Sequence, residues 1–195
     1  MKLVLASSNG GKLAELRALL GAGFDLHVQS EFGVADADET GLSFVENAIL
    51  KARHAAAATG LPSLGDDSGL CVDALQGAPG LHSARYSGTH SNSEANIDRL
   101  LRELDGVDDT RRNARFVCVL ALVRHADDPQ PLIAEGEWHG EIAQEERGGG
   151  GFGYDPLFWL PQFGRMSAEL KAEEKAKISH RAQAMKILLQ KLKLE

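Results

Sequence analysis

The chain has 195 residues, of which 43% are hydrophobic and 25% charged, and these globular values exclude disorder, collagen and coiled coil as classes. Its 21 basic and 28 acidic side chains leave a net charge of -7, which argues against broad nucleic-acid binding. No apolar run approaches the ~20 residues that span a bilayer, so no membrane association is expected.

The N-terminus turns polar after five residues, too short for a signal-peptide core. Cys71 and Cys118 both sit in apolar runs, which fits a reduced, cytoplasmic setting. There is no internal repeat, linker or composition break, so residues 1–195 read as a single domain long enough to bury about 70% of its unfolded surface. Residues 1–150 hold 13 basic and 23 acidic side chains, whereas residues 151–195 hold 8 and 5. An acidic body with a basic end suits a small anionic ligand better than a polyanion.

Residues 2–6 are short, continuous and apolar, as in a buried strand. A turn at Ser7-Ser-Asn-Gly-Gly11 follows. Leu13, Leu16, Leu19 and Leu20 then predict a helix over 12–20, and residues 24–28 alternate as a strand. Ser43 and Glu46, three apart, match a capping box. The helix they open runs to about residue 59, where Gly60 and Pro62 stop it. Residues 70–75 are strand-like, and 93–104 form a helix with Leu100, Leu101 and Leu104 inward. Residues 114–123 are a long buried strand, and 133–138 with 141–145 suggest a hairpin around His139-Gly140. A last amphipathic helix covers about 173–192, with Ile178, Ala182, Met185, Leu188, Leu189 and Leu192 on one face. This alternation predicts an α/β fold with a mixed sheet.

Several segments carry chemistry. The strand, the run Ser7, Ser8, Asn9, Gly10, Gly11, Lys12 and the helix after it outline a phosphate-binding turn. Its glycines let backbone N–H groups approach an anion, the helix N-terminus adds partial positive charge, and Lys12 adds a full one. It lacks Walker A spacing, and a plain strand-to-helix connection is the alternative. The acidic pair Asp66-Asp67, read at a strand end, and the pair Asp38-Glu39 could supply Mg²⁺ with one or two carboxylates. Two solvated acidic turns are the alternative. Lys51 and Arg53 lie on the Ser43 helix, where a surface lysine is the usual reading.

Five glycines fall within residues 148–153, so this segment is no helix or strand interior. Phe152 among them needs something flat to pack on, a nucleobase or a neighbouring side chain. Tyr154-Asp155-Pro156 beside it favours a fixed shape. His180 and Arg181, with Lys171, Lys175 and Lys177 upstream, are donors for carbonyl or phosphate oxygens. The other six histidines have no metal-ligand spacing, and no nucleophile elbow or zinc pattern is present.

Taken in order, these motifs resemble the pyrophosphatases of non-standard purine nucleoside triphosphates, the inosine/xanthosine triphosphate pyrophosphatases. The match runs through Ser7–Lys12, Glu39-Thr-Gly41, Phe44–Ala52, Asp66–Leu70, Gly77-Ala-Pro-Gly80 and Ser83–Gly88. It continues through Gly150–Pro156, Ala168-Glu-Leu170 and Glu174-Lys175 to Ile178-Ser-His-Arg181, and covers nearly the whole chain. The resemblance implies a homodimer with an elongated mixed sheet and two lobes around a cleft. It implies Mg²⁺-dependent hydrolysis (with Mn²⁺ as a substitute) of ITP, dITP and XTP to the monophosphate and pyrophosphate, cleaning the nucleotide pool. Ser7, Ser8, Asn9, Gly10, Gly11 and Lys12 match the triphosphate loop, and Asp67 the general base. Asp38, Glu39 and Asp67 match the metal-binding carboxylates, Lys51 a phosphate-facing lysine, and Ser68 a substrate contact. Phe152, Gly153, Tyr154 and Asp155 match the base-stacking loop, and Lys175, His180 and Arg181 the residues that read the base.

The chemistry is consistent with that resemblance. Attack at the α-phosphorus needs a water, a carboxylate to take its proton and cations to offset phosphate charge. Hypoxanthine and xanthine offer a 6-oxo acceptor where adenine offers an amino donor, and pairing of this kind can discriminate by about 10⁴. A Maf-type nucleotide pyrophosphatase is the enzymatic rival, and a non-catalytic nucleotide sensor the rival of another class. The glycine-rich loop with its Phe152 argues against the first, and Asp67 with Lys51 against the second.

Overall fold

The computed structural model describes residues 2–7, 10–20, 23–88 and 92–192. Strands β1 (Lys2–Ala6), β2 (Asp25–Val28), β3 (Ser63–Val72), β4 (Asn113–Val123), β5 (Leu132–Ile142), β6 (Phe158–Leu160) and β7 (Arg165–Met166) form one sheet in the order β2-β1-β3-β4-β5-β6-β7. The helices are α1 (Gly10–Leu20), α2 (Phe44–Thr59), α3 (Ser93–Glu103), α4 (Ala172–Ile178) and α5 (His180–Leu192). β1 runs parallel to β2 and β3, with Val4 opposite His27 and Leu5 opposite Leu64. β6 is antiparallel to β5 and β7. The fold is therefore mixed α/β, as the alternating pattern predicts. Among the described residues, no helix is long and apolar enough to cross a membrane.

The chain divides into two compact units, each built from separated stretches. The first comprises Met1–Asp67, Cys118–Gly136 and His180–Glu195. Its order follows from the alternation of β1 side chains between the faces of the sheet. Leu3 and Leu5 pack with Leu16 and Leu20 of α1 and with Met185 and Leu188 of α5. Val4 and Ala6 pack instead with Ala55 of α2. The second unit comprises Ser68–Val117 and Glu137–Ser179. Its core gathers Leu70, Leu100, Leu104, Phe116, Trp138 and Phe158, with the Phe116 and Phe158 ring centroids 4.6 Å apart.

Three elements differ from the sequence reading. The strand expected over 70–75 begins at Ser63 and ends at Val72, with a 3-10 turn over Asp73–Leu75. The acidic pair therefore lies in mid-strand. Aspartates are poor strand residues by propensity, and cationic partners from the packed helices override that preference. The hairpin expected at His139-Gly140 does not form, because β5 runs unbroken through both residues. Gly140 marks a close approach rather than a turn: a Cβ there would meet the Phe158 ring and the Trp159 carbonyl. The long C-terminal helix is two helices, interrupted at Ser179, whose ψ of 162° is extended. Ile178 joins the core of the second unit and Met185 that of the first, so one straight helical face does not serve both.

Candidate active site

Asp66 and Asp67 are neighbours on β3, so their carboxylates leave opposite faces of the strand. Asp66 is fully buried. It pairs with the Lys12 ammonium of α1 and lies 3.4 Å from the Arg181 Nε of α5. The Cys118 thiol of β4 donates to its second oxygen at 3.5 Å. Burial alone would push the Asp66 carboxyl up, but Lys12 and Arg181 hold it well below the usual carboxylate range. Asp66 is thus a fixed anion at neutral pH. The Cys118 thiol is pushed far up by burial and by that anion, so it is no thiolate nucleophile. Arg181 Nη1 also donates to Glu15 of α1 at 2.7 Å, and both Arg181 and His180 are buried.

On the other face of the strand, Lys51 Nζ donates to Asp67 Oδ1 at 2.8 Å and Asn47 Nδ2 to Asp67 Oδ2 at 3.3 Å. Both donors lie on α2. The Ser43 hydroxyl caps this helix by accepting from the Glu46 N–H, and the Glu46 carboxylate accepts from the Ser43 hydroxyl at 2.8 Å. Gly65 lets α2 approach β3, because a Cβ there would collide with the Ala48 carbonyl and crowd the Ala52 nitrogen. Burial raises the Asp67 carboxyl above the ordinary aspartate value, against the pull of Lys51. Burial also disfavours the Lys51 ammonium, yet Asp67 and Glu39 raise its pKa.

Lys51 is shared: its ammonium also reaches Glu39 Oε1 at 3.0 Å. The Asn47 side chain accepts from the Gly41 N–H at 2.8 Å, which ties the segment after Glu39 to α2. Asp38 is exposed. Arg53, the other cation noted on this helix, donates to the Asp128 carbonyl at 3.1 Å and is part of the frame.

In the second unit, the glycine-rich segment is organised by Asp155, which is buried. Its Oδ2 accepts from the Phe152 N–H at 2.8 Å and from Lys175 Nζ at 2.6 Å, while Oδ1 accepts from the Ser167 hydroxyl at 2.7 Å. The Lys175 ammonium stands 5.1 Å from the Phe152 ring centroid. Phe152 itself is 39% exposed, a large aromatic presented to solvent. Gly151 has φ +75, and a Cβ there would meet the Asp155 carboxylate. Tyr154 is buried and donates to the Ser83 carbonyl at 2.9 Å. Ser68 lies on β3, just before Gly69, which packs on Gly80 and Ser83.

The first unit therefore gathers Lys12, Glu39, Lys51, Asp67 and Arg181 around β3, and the second gathers Phe152, Asp155 and Lys175. Ser7 follows β1 and is half-buried, and Gly10 and Gly11 form the first turn of α1. Ser8 and Asn9 lie outside the described residues. Gly153 has φ +63, completing the turn beneath Phe152. Sequence reasoning missed Asn47, Glu15 and Ser167. Asn47 had a usable signal, since it stands four residues before Lys51 and shares its helical face. Ser167 had none, because nothing in its spacing ties it to Asp155.

The Ham1 family model matches residues 3–191. The chain is 56% identical to the dITP/XTP pyrophosphatase of Shigella flexneri and 56% identical to that of Thioalkalivibrio sulfidiphilus, covering 98% of this chain and of each relative. Among solved structures, a HAM1 protein from Coxiella burnetii superposes with a TM-score of 0.93 at 50% identity, covering 100% of both chains. The Staphylococcus aureus Ham1 protein gives 0.88 at 40% identity, covering 99% of this chain and 98% of its own. Matched almost end to end in sequence and in fold, this chain belongs to the Ham1 family.

Proposed function

We propose that this protein hydrolyses non-standard purine nucleoside triphosphates (dITP, ITP and XTP) to the monophosphate and pyrophosphate. The observation that carries the reading is Asp67, a carboxylate raised by burial and aimed by Lys51 and Asn47. In the reaction, Asp67 accepts a proton from a water whose oxygen bonds to the α-phosphorus. The bond from that phosphorus to the bridging oxygen breaks, and pyrophosphate leaves. Lys12 and Lys51 offset charge on the phosphate oxygens. Asp66, held ionised by its cations, keeps Lys12 in place. The exposed Phe152 stacks on the base, with Tyr154 anchoring the loop. Lys175, His180 and Arg181 favour bases with a 6-oxo acceptor, and Ser7 to Lys12 together with Ser68 hold the rest of the nucleotide.

A divalent cation, Mg²⁺ with Mn²⁺ as substitute, fits the donor set. Glu39 and Asp67 both lie within 3.0 Å of one ammonium, so two carboxylates converge there, and Asp38 precedes Glu39 in the chain. Among the described residues, no group of three or more His, Cys, Asp or Glu forms a ready-made cage. Mg²⁺ asks for no such cage, since it takes one or two carboxylates and completes its shell with waters and substrate phosphates. When bound, it supplies charge neutralisation on the triphosphate. We further propose a cytoplasmic homodimer, on the strength of the family.

Pyrophosphate release from ITP, XTP, dITP, dTTP and ATP with Mg²⁺ tests the function. Turnover of the three 6-oxo purines at rates well above ATP and dTTP is expected. Preference for dTTP would favour a Maf-type activity, and binding without turnover a sensor.

A further inference from the structure

We propose that Ser167 is a positioning residue for base recognition, acting through Asp155 on Phe152 and Lys175. The inference rests on the reading of Phe152 as the stacking surface. The Asp155 carboxylate has two jobs on one oxygen, holding the Phe152 N–H at 2.8 Å and the Lys175 ammonium at 2.6 Å. Both bonds need that oxygen at a fixed place. The terminal torsion of an aspartate is broad and leaves the carboxylate free to turn, so something must set its plane. The Ser167 hydroxyl does so by donating to the other oxygen at 2.7 Å.

Ser167 is itself 1% exposed and Asp155 2%, so water cannot easily replace a lost bond. The turn that carries Ser167 braces the same loop through its backbone: Ala168 N–H donates to the Asp155 carbonyl at 3.2 Å, and the Ala168 carbonyl accepts from Gly150 at 3.1 Å. One hydroxyl thus governs the azimuth of a carboxylate that fixes both an aromatic ring and a cation. The Lys175 ammonium, 5.1 Å from that ring, moves with it. A group that shapes the ground-state fit of the base, and not the reacting phosphate, should change KM and leave kcat nearly intact.

The test compares wild type with Ser167→Ala, Ser167→Cys and Ser167→Thr. Cysteine keeps the shape but donates weakly, and threonine restores the hydroxyl. Steady-state kinetics with dITP are measured alongside hydrogen exchange of the Phe152 amide. Ser167→Ala should raise KM about tenfold with kcat within about twofold, and should speed exchange at Phe152. Threonine should return both towards wild type, with cysteine between. If alanine fails to fold, the cysteine variant decides. A folded Ala or Cys variant with unchanged KM and exchange overturns the inference, provided Phe152→Ala still raises KM. If Phe152→Ala leaves KM for dITP unchanged, the stacking reading itself falls, and the Ser167 inference falls with it.

Discussion

Asn47 and Lys51 stand one turn apart on α2 and donate to different oxygens of one carboxylate, Asn47 to Oδ2 and Lys51 to Oδ1 of Asp67. The pair clamps the side chain from a single rigid helix face. Asp67→Asn keeps the shape and loses the base, so kcat with dITP should fall by roughly 10²–10⁴. Asn47→Ala should cost less, about tenfold, because it frees the base without removing it. Stopped assays of pyrophosphate release give both numbers. An Asp67→Asn variant retaining more than about a tenth of the rate would mean that another group takes the proton.

Metal removal is the second check. Activity on dITP should vanish in excess EDTA and return with added Mg²⁺ or Mn²⁺. Undiminished turnover in chelator sinks the cation requirement. Glu39→Gln should raise the Mg²⁺ concentration needed for half-maximal rate, which a metal titration reads directly.

The buried pair of Arg181 and Asp66 makes a third. Arg181→Met removes the guanidinium that faces Asp66 and donates to Glu15, a change that costs about 3–5 kcal/mol when a buried pair is broken. For a chain of this size that is a drop of roughly 10 °C in Tm. Calorimetry on the ligand-free protein measures it. A Tm within about 2 °C of wild type would show that the guanidinium is not committed to Asp66.

Acid stability gives a fourth, at a site remote from the reaction. Asp128 accepts from the Arg124 N–H, Nε and Nη2 and from the Gln130 N–H, each at 2.9–3.0 Å. Its hydrogen bonds with Arg124 hold its carboxyl well below the usual range. A depressed carboxylate contributes stability that is full above its unfolded value, about 3.9, and is lost as pH falls below it. Asp128→Asn should therefore lower Tm by several degrees at pH 7, and the gap should close below about pH 4. A gap independent of pH assigns the loss to packing.

The oligomeric proposal is checked by light scattering at micromolar concentration. A mass about twice the 20.9 kDa of the chain is expected, and a clean monomer refutes the dimer.

Much of the frame was legible in the sequence because local signals and tertiary packing agree. The cap at Ser43, the stop at Gly60 and the apolar run of β4 each report one local preference, and each appears in the structure. The misreadings fall where a distant partner overrides that preference. His139-Gly140 looks like a turn, yet the missing Cβ at Gly140 serves a neighbouring strand. Asp66-Asp67 looks like a strand end, yet helices supply the countercharges that keep it inside β3. Of the candidate site, the residue types of Lys12, Lys51, Asp67 and Phe152 were readable. The commitments of those groups were not: that Lys12 answers to Asp66 and Arg181 to Glu15 depends on folding distances that spacing does not encode.

Two identical amino acids, side by side, are given opposite chemical fates by nothing more than odd and even position along β3. Asp66 is a fixed anion and Asp67 a carboxylate raised above the ordinary aspartate value, and a one-residue slip of the strand would turn each to the other face of the sheet, since a strand's side chains swap faces at every step. Such a slip would preserve both aspartates in any sequence comparison while turning Asp66 away from Lys12 and Asp67 away from Lys51. Their identities are therefore carried by their phase within the paired strand. A homologue that keeps the dipeptide but shifts its phase in this strand has, in chemical terms, a different pair.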